Sequence, residues 1–246
     1  MNQVIEILND HRSVRSFKSD DISSNELEAI IQAAYLSPTS INGQQVSVIV
    51  IRDPQKKKEI AAIAGGQSWI EKAPVFLLFV MDFYKTALGV EKAQKKQLIH
   101  ESSEALIVGS VDAGIALGRA MAAAQSFGLG IVPIGGIRND PQAIIDLLDL
   151  PQMTFPLVGM CVGKIESKAD QKPRLPLASF RHDEIYHKDE LNEMIESYDK
   201  TLIDHWKKTG RADGVSWSES ISAPYCKVYF PKVKPVLEKQ GFSYDK

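Results

Sequence analysis

The stretch VFLLFVM at residues 75–81 decides the fold, because it places seven apolar residues in a row. Continuous apolar character predicts a β-strand that is covered on both faces, since a strand with one wet face alternates apolar and polar residues. The runs at residues 46–51 and 155–162 predict two further strands. In residues 128–140, GLGIVPIGGIRND predicts a short strand and then a glycine-rich turn. We therefore expect a sheet sandwiched between helices.

Four segments predict the covering helices. Residues 21–36 begin with a Ser23-x-x-Glu26 capping box and carry apolar residues at three- and four-residue spacing. Asp-Pro pairs at residues 53–54 and 140–141 each supply an N-cap and a first-turn proline, which predicts a helix after each pair. Residues 98–127, rich in alanine and glycine, predict a long central helix buried against the sheet or a second subunit.

The chain becomes polar and aromatic after QKPRLP, which ends at residue 176. Few strand patterns follow, so we expect a helical tail from about residue 177 that wraps a partner subunit. A smaller independent subdomain is the alternative. The irregular succession of helices and strands predicts an α+β fold with a helix-flanked central sheet, in a single domain over residues 1–246.

Composition limits the possible partners. Of the 246 residues, 44% are hydrophobic and 24% are charged, and the formal net charge is −2. Neither a disordered chain nor a strongly basic nucleic-acid surface is expected, and a small molecule is the expected partner. Cys161 and Cys226 lie far apart, which favours two reduced thiols in a cytoplasmic protein over a disulfide framework or a zinc site.

No membrane association is expected. Charged residues begin at Glu6, before any long apolar run, which leaves no room for a signal peptide. The apolar segment 105–124 is interrupted by Asp112 and Arg119, so we expect it in a water-soluble core.

The glycine-rich turn is a candidate ligand contact. The GLG of residues 128–130 matches the start of a dinucleotide fingerprint, but Pro133 occupies the third glycine position, and no P-loop pattern occurs. The IGG of residues 134–136 remains as a place where backbone can approach a flat ligand, because glycine has no Cβ. A plain strand-to-helix turn is the alternative. No G-x-S-x-G or H-E-x-x-H pattern occurs, so neither a serine hydrolase nor a metal site is expected.

Basic residues at two places form a candidate phosphate site. In HRSVRSF, residues 11–17, Arg12 and Arg15 are three apart, so their guanidinium groups can converge on a helical turn or tight loop, with the Ser13 hydroxyl between them. KPR at residues 172–174 offers a second pair of cations. Four converging cations would suit a phosphate dianion, because charge-assisted bonds are strong. A solvated basic helix end and a basic loop are the alternative.

In this order, the segments resemble the flavin-dependent nitroreductase family, and in particular its branch of NADPH-dependent nitro and flavin reductases. The resemblance covers nearly the whole chain. The matching segments are HRSVRSF (11–17), SPTSINGQQ (37–45), AGGQ (64–67), QSFGLG (125–130), IGGIRN (134–139), FPLVGMCVG (155–163), KPRLP (172–176) and SYDK (197–200).

The resemblance implies a nitroreductase-like α+β homodimer that binds FMN non-covalently in two sites at the subunit interface. By matching position, the residues that would grip the FMN phosphate and ribityl chain are His11, Arg12, Ser13, Arg15, Lys172 and Arg174. The residues that would lie near the isoalloxazine ring or its tail are Ser40, Asn42 and Gln67, with backbone contact from Ile134, Gly135 and Gly136.

The implied activity is ping-pong hydride transfer from NADPH, with NADH as the alternative, through FMN to nitroaromatics, quinones, flavins or similar small-molecule oxidants. No catalytic side chain is implied, because the chemistry occurs on the flavin. The chain departs from the family pattern at one position and in one loop. Pro133 stands where a tyrosine is often found, and Lys207, Lys208 and Arg211 are the candidate residues for the NADPH 2′-phosphate, where relatives tend to carry arginines. A non-enzymatic flavin carrier and another flavin-dependent activity are the alternatives.

Overall fold

The structure is a computed structural model that describes residues 2–243. These residues divide into two compact units, one of residues 2–169 with 230–243 and one of residues 170–229. The strands all lie in the first unit and are β1 Val46–Ile51, β2 Val75–Asp82, β3 Gly130–Ile134 and β4 Thr154–Gly163. The first unit also contains helices α1 Gln3–Asn9, α2 Ser24–Tyr35, α3 Pro54–Ile63, α4 Ser68–Lys72, α5 Phe83–Lys92, α6 Ser103–Ser126, α7 Pro141–Leu148 and α10 Val233–Lys239. The second unit contains helices α8 Leu191–Lys208 and α9 Trp217–Tyr225.

The four strands form one antiparallel sheet in the order β1-β2-β4-β3. Central strand β2 is buried on both faces, as its continuous apolar sequence predicts. Phe76, Leu78 and Val80 point into a core formed with α3, α4 and α7. Residues 75, 77 and 79 point into a second core, formed with α2 and α6. The prediction of a sheet covered on both faces is confirmed.

Close packing between β2 and β4 depends on one glycine. A Cβ at Gly159 would overlap the ring of Phe76, which is fully buried in the neighbouring strand. Any side chain at position 159 would therefore displace this ring or bend the sheet.

Helix starts follow the predicted caps. Ser23 and Glu26 form a complete capping box at α2, and Asp53 and Asp140 accept hydrogen bonds from backbone amides in the first turns of α3 and α7. The predicted start of the central helix at residue 98 is wrong by five residues. A short 3-10 helix, Ile99–Glu101, comes first, and α6 begins at Ser103.

Helices α1, α4 and α5 of the first unit have no counterpart in the prediction. Helix α1 precedes the HRSVRSF segment, and α5 follows β2 directly, with the Asp82 side chain accepting a hydrogen bond from the amide of Lys85. Helix α10 lies in the tail that was predicted to be helical. Its Val236 and Leu237 are buried in a core with Met81 of β2.

Helix α6 is long and apolar enough to cross a membrane by length and composition alone. Its alanines at positions 116, 120 and 124 are buried against the sheet, as expected of a core helix. Its outer face exposes Ile107, Val111 and Ile115, which follow one another at four-residue spacing. This exposed line of branched apolar side chains is called the α6 stripe below.

Candidate functional site

The HRSVRSF segment runs beside the sheet edge and is not helical. Ser13 forms a parallel bridge with Ile131 of β3, Phe17 forms an antiparallel bridge with Ile165, and the Val14 amide donates to the Ile131 carbonyl at 2.9 Å. Of the two conformations expected for this segment, a helical turn or a tight loop, the helical turn does not form, because the backbone pairs with distant residues. Buried Val14 and Phe17 anchor the segment in the core.

The two arginines of this segment contact different neighbours. The Arg12 guanidinium makes two bonds to the Asp10 carboxylate, at 3.0 and 2.9 Å. The Arg15 guanidinium lies over the ring of Trp69, 5.5 Å from its centroid. Among the described residues, Arg12 therefore contacts an acidic residue and Arg15 an aromatic ring, and their convergence on a phosphate stays a prediction.

Two buried nitrogens at this site have no hydrogen-bond partner among the described residues. They are His11 Nδ1 and Trp69 Nε1. Buried polar atoms are nearly always hydrogen-bonded in native proteins, so each such atom needs an explanation. A bound polar ligand would supply one, and both nitrogens lie either in the HRSVRSF segment or under Arg15.

Gln67 and the turn after β3 meet directly. The Gln67 amide donates to the carbonyl of Ala64 at 2.8 Å. A Cβ at Gly136 would lie 2.5 Å from Gln67 Nε2 and 2.7 Å from the Ala64 oxygen. Only glycine fits here, so the bare backbone of this turn lies against Gln67. Ile134 is buried, which leaves only its backbone available to a ligand, and the Gly135 position faces the guanidinium of Arg138.

Pro133 is accommodated because β3 is at the edge of the sheet. It pairs with Met160 on β4, and proline is tolerated in edge strands, where a ladder donor is not needed.

Ser40 and Asn42 lie in a loop whose backbone is strained. Ile41, Asn42 and Gln44 all have positive φ, at 49°, 56° and 53°. Residues other than glycine adopt this region at a cost, and such strain clusters at binding sites. Ile41 is β-branched and yet 98% exposed, so no packing in this chain explains its conformation.

Two charged side chains of α6 hold both ends of this loop. Asp112, only 3% exposed, accepts a hydrogen bond from the Ser40 amide at 3.1 Å and one from the Gln45 side chain at 2.5 Å. Arg119 donates to the carbonyl of Leu36 at 2.7 Å. The sequence shows both residues as interruptions of an apolar helix, which is the signal that could have assigned them this role.

Lys172 and Arg174 belong to the second unit. They line a cavity of about 620 Å³ together with aromatic side chains of α8 and α9. The Tyr198 hydroxyl donates to the carbonyl of Pro173 at 2.8 Å, which ties the KPRLP segment to α8. Burial raises the pKa of the Tyr198 phenol, with the nearby Arg174 acting in the opposite direction, so the phenol remains a donor at neutral pH.

The candidate residues for the 2′-phosphate lie at and after the end of α8. Lys207 and Lys208 are in the last turn, where cations complement the helix dipole, and Lys207 also pairs with Asp204 at 3.2 Å. Arg211 lies 4.4 Å from the ring centroid of Trp206. Each of the three therefore has a local environment within this unit, and their role as ligands of the 2′-phosphate stays a prediction.

The cysteines are separate and free. Cys161 is fully buried in β4, and Cys226 is exposed. Burial strongly raises the pKa of the Cys161 thiol, although Lys57 nearby acts in the opposite direction. Cys161 is therefore a packed, protonated thiol, as its place in an apolar strand predicts.

Comparisons with known proteins agree over the full chain. The model of the Nitroreductase family matches residues 8–164, and that of the Nitroreductase family, C-terminal domain, matches residues 172–245. Among curated proteins, the chain is 45% identical to an FMN reductase [NAD(P)H] of Bacillus subtilis, with 100% of both chains covered, and 34% identical to an FMN reductase (NADPH) of the same species, with 99% of both covered. Among solved structures, NfrA2 of B. megaterium matches with a TM-score of 0.97 and 43% identity over 100% of both chains.

Proposed function

This chain belongs to the nitroreductase family, and we propose that it is an FMN-dependent NAD(P)H oxidoreductase. Its acceptors are small, flat oxidants such as nitroaromatics, quinones or flavins. Two relatives, 45% and 34% identical to this chain, are named FMN reductases, and one further relative, 33% identical, is named an NADPH-flavin oxidoreductase of Vibrio harveyi. When bound, FMN supplies the redox chemistry, accepting hydride from NAD(P)H and reducing the acceptor in a second half-reaction.

The unpaired buried nitrogens are the observation that best supports a ligand at the HRSVRSF segment. His11 Nδ1 and Trp69 Nε1 both lack a partner among the described residues, and a phosphate or ribityl chain offers several oxygens. Arg15 and Ser13 supply a guanidinium and a hydroxyl to the same group. The family resemblance also predicts Lys172 and Arg174, which belong to the second unit, as phosphate ligands.

The isoalloxazine ring of FMN would lie against the backbone of the turn after β3. Gly136 has no side chain to keep a flat ligand away from the turn after β3, and Gln67 is fixed beside it. Backbone amides and the Gln67 amide can donate to the polar edge of the ring, which stabilises charge that develops there. Ser40 and Asn42, in the strained loop, would lie near the ring or its tail. None of these residues needs to act as an acid or a base.

We also propose a homodimer in the cytoplasm. The α6 stripe and the exposed Ile41 are apolar surface that a second copy would cover. Residues 177–229 are the part of the tail proposed to wrap the partner, since residues 230–243 contribute to the core of the first unit. A monomeric mass in solution for the flavin-bound protein would contradict this proposal.

The purified protein tests the activity directly. We expect a yellow protein whose visible flavin absorbance disappears when NADPH is added without oxygen and returns when a quinone is added. A yellow protein that NADPH never reduces would support a flavin carrier instead. A protein that binds no FMN would contradict every flavin-dependent function. Comparison of kcat/KM for NADPH and NADH tests the dinucleotide preference, and equal values would remove the proposed role of Lys207, Lys208 and Arg211.

A further inference from the structure

Helix α4 carries two side chains on which the proposed flavin site depends. Gln67 is its N-cap residue and lies against Gly136, and Trp69 lies in its first turn beneath the Arg15 guanidinium. A Cβ at Gly136 would come within 2.5 Å of Gln67 Nε2, so no side chain separates these two residues. A shift of α4 would therefore move both candidate side chains with it.

Local interactions alone do not hold α4 in place. The helix has five residues, Ser68–Lys72, and helices this short are unstable in water without tertiary contacts. The Gln67 side chain makes no N-cap hydrogen bond, because it donates to the Ala64 carbonyl instead. Ile70 anchors the middle of α4 in the core, so the ends of the helix need another support.

Lys57 of α3 supplies this support at the C-terminal end of α4. Its ammonium Nζ donates hydrogen bonds to the Ala73 carbonyl at 2.5 Å and to the Pro74 carbonyl at 3.5 Å. Ala73 is the C-cap residue of α4, where carbonyl groups have no partner inside the helix and the helix dipole favours a positive charge. Lys57 therefore fixes the end of α4 that is opposite to Gln67.

The burial of Lys57 has a cost that indicates a specific role. The residue is 6% exposed, and lysine is almost never buried to this degree unless it is paired. Desolvation lowers the pKa of its ammonium group. The acidic residues near it have other partners, since Asp21 pairs with Arg52 at 2.6 Å and Asp53 caps α3. The carbonyls of residues 73 and 74 therefore offset part of the cost of burial.

We propose that Lys57 is a positioning residue for the flavin site. It holds α4 from its C-terminal end and so sets where Gln67 and Trp69 lie, without contacting the ligand itself. This inference rests on the proposed function, because it takes Gln67 and Trp69 as neighbours of FMN. It adds a residue outside the candidate site on which the geometry of that site depends.

Lys57→Met tests the proposal. Methionine has a flexible, unbranched side chain that suits a buried position, and the substitution removes the ammonium group with both hydrogen bonds. We expect the Kd of FMN to rise about two- to tenfold, which is the effect of one net hydrogen bond. The visible circular dichroism of bound FMN should also change, because the groups beside the ring shift. The Tm of the FMN-free protein should change little, since loss of a buried charge also removes its desolvation cost.

Hydrogen exchange of the FMN-free protein follows α4 without a ligand. The amides of Ile70 and Ala73 donate to the carbonyls of residues 67 and 69, and their exchange should become about two- to tenfold faster in Lys57→Met. Amides of β2 should exchange as in wild type. Lys58→Met makes the same chemical change at the adjacent, exposed position of α3, so it is the matched control and should alter none of these quantities.

Gln67→Ala separates an effect through α4 from a general one. If Lys57 acts through α4, the rise in Kd caused by Lys57→Met should be smaller in Gln67→Ala protein than in wild type.

An unchanged Kd and circular dichroism spectrum in Lys57→Met would overturn the inference. A rise in Kd that is fully additive with that of Gln67→Ala would also overturn it, as would exchange that accelerates equally in α4 and β2, or a Lys57→Met protein that does not fold. A wild-type protein that binds no FMN would instead overturn the proposed function, and the exchange of the α4 amides would then decide alone whether Lys57 holds this helix.

Discussion

Replacement of Asp112 by alanine would remove the side chain that fixes the strained loop to α6. The Asp112 carboxylate accepts one hydrogen bond from the Ser40 amide and one from the Gln45 side chain. Without it, two donors near the buried end of the loop lose their partner, and Ser40 and Asn42 lose the restraint on their positions. We expect a loss of both stability and FMN affinity.

The expected loss of stability follows from the two hydrogen bonds to Asp112 and from the burial of its carboxylate. Hydrogen bonds to a charged group contribute about 1.5–3 kcal/mol each, so the two together contribute about 3–6 kcal/mol. Removal of a buried carboxylate also relieves its desolvation cost, which offsets part of this loss. A net decrease of about 2–3 kcal/mol in the free energy of unfolding corresponds to a fall in Tm of about 4–12 °C for a chain of this size.

Thermal unfolding of the FMN-free protein measures the loss of stability. FMN titration of the same preparation measures the loss of FMN affinity that follows from the unrestrained loop. Ser110→Ala is the matched control, because Ser110 is an exposed position on the same helix. Asp112→Asn keeps the shape of the side chain and one acceptor oxygen, so its Tm and its FMN affinity should lie between those of wild type and Asp112→Ala. A Tm for Asp112→Ala equal to that of Ser110→Ala would refute the reasoning.

Three further predictions concern the fold. Gly159→Ala should lower stability by about 1–3 kcal/mol through overlap with Phe76, whereas Gly114→Ala, in open space on α6, should be neutral or stabilising in the same denaturant titration. The raised pKa of Cys161 contributes stability that is present below pH 9.0, the ordinary thiol value, and is lost as pH rises towards the folded pKa. Above pH 9.0, the thiol therefore makes the free energy of unfolding fall as pH rises. Cys161→Ala removes this effect, so the slope of the free energy of unfolding against pH should become more positive, by up to about 1.4 kcal/mol per pH unit. An unchanged slope would contradict this. Ser23→Ala should cost about 1 kcal/mol by removing the N-cap of α2, and an unchanged Tm would contradict it.

Local patterns in the sequence were enough for most of the secondary structure. The apolar run of β2 predicted a strand covered on both faces, and the capping box at Ser23 and the Asp-Pro pairs predicted where α2, α3 and α7 begin. These features depend on interactions between residues a few positions apart. They can therefore be predicted before the tertiary structure is known.

The site depends on pairings that are distant in sequence. The HRSVRSF segment is held by Ile131 and Ile165, more than 110 residues away, so its own spacing could not show these pairings. The hydrogen bond from the Ser40 amide to the Asp112 carboxylate joins residues that are 72 positions apart. The contact between Gly136 and Gln67 is visible only once β3 and the end of α3 lie side by side. The resemblance to the family supplied the candidate site residues, and the structure shows which neighbours several of them contact.

The Kd of FMN for Arg15→Ala, measured by titrating FMN-free protein, tests the central claim most directly. Arg52→Ala serves as the control, because Arg52 is an exposed arginine of the same unit that pairs with Asp21 at 2.6 Å and belongs to no proposed site. If the HRSVRSF segment binds the FMN phosphate, loss of one charge-assisted contact should raise Kd about ten- to a hundredfold in Arg15→Ala and leave Arg52→Ala near wild type. An Arg15→Ala protein that binds FMN as tightly as the Arg52→Ala control would contradict the account.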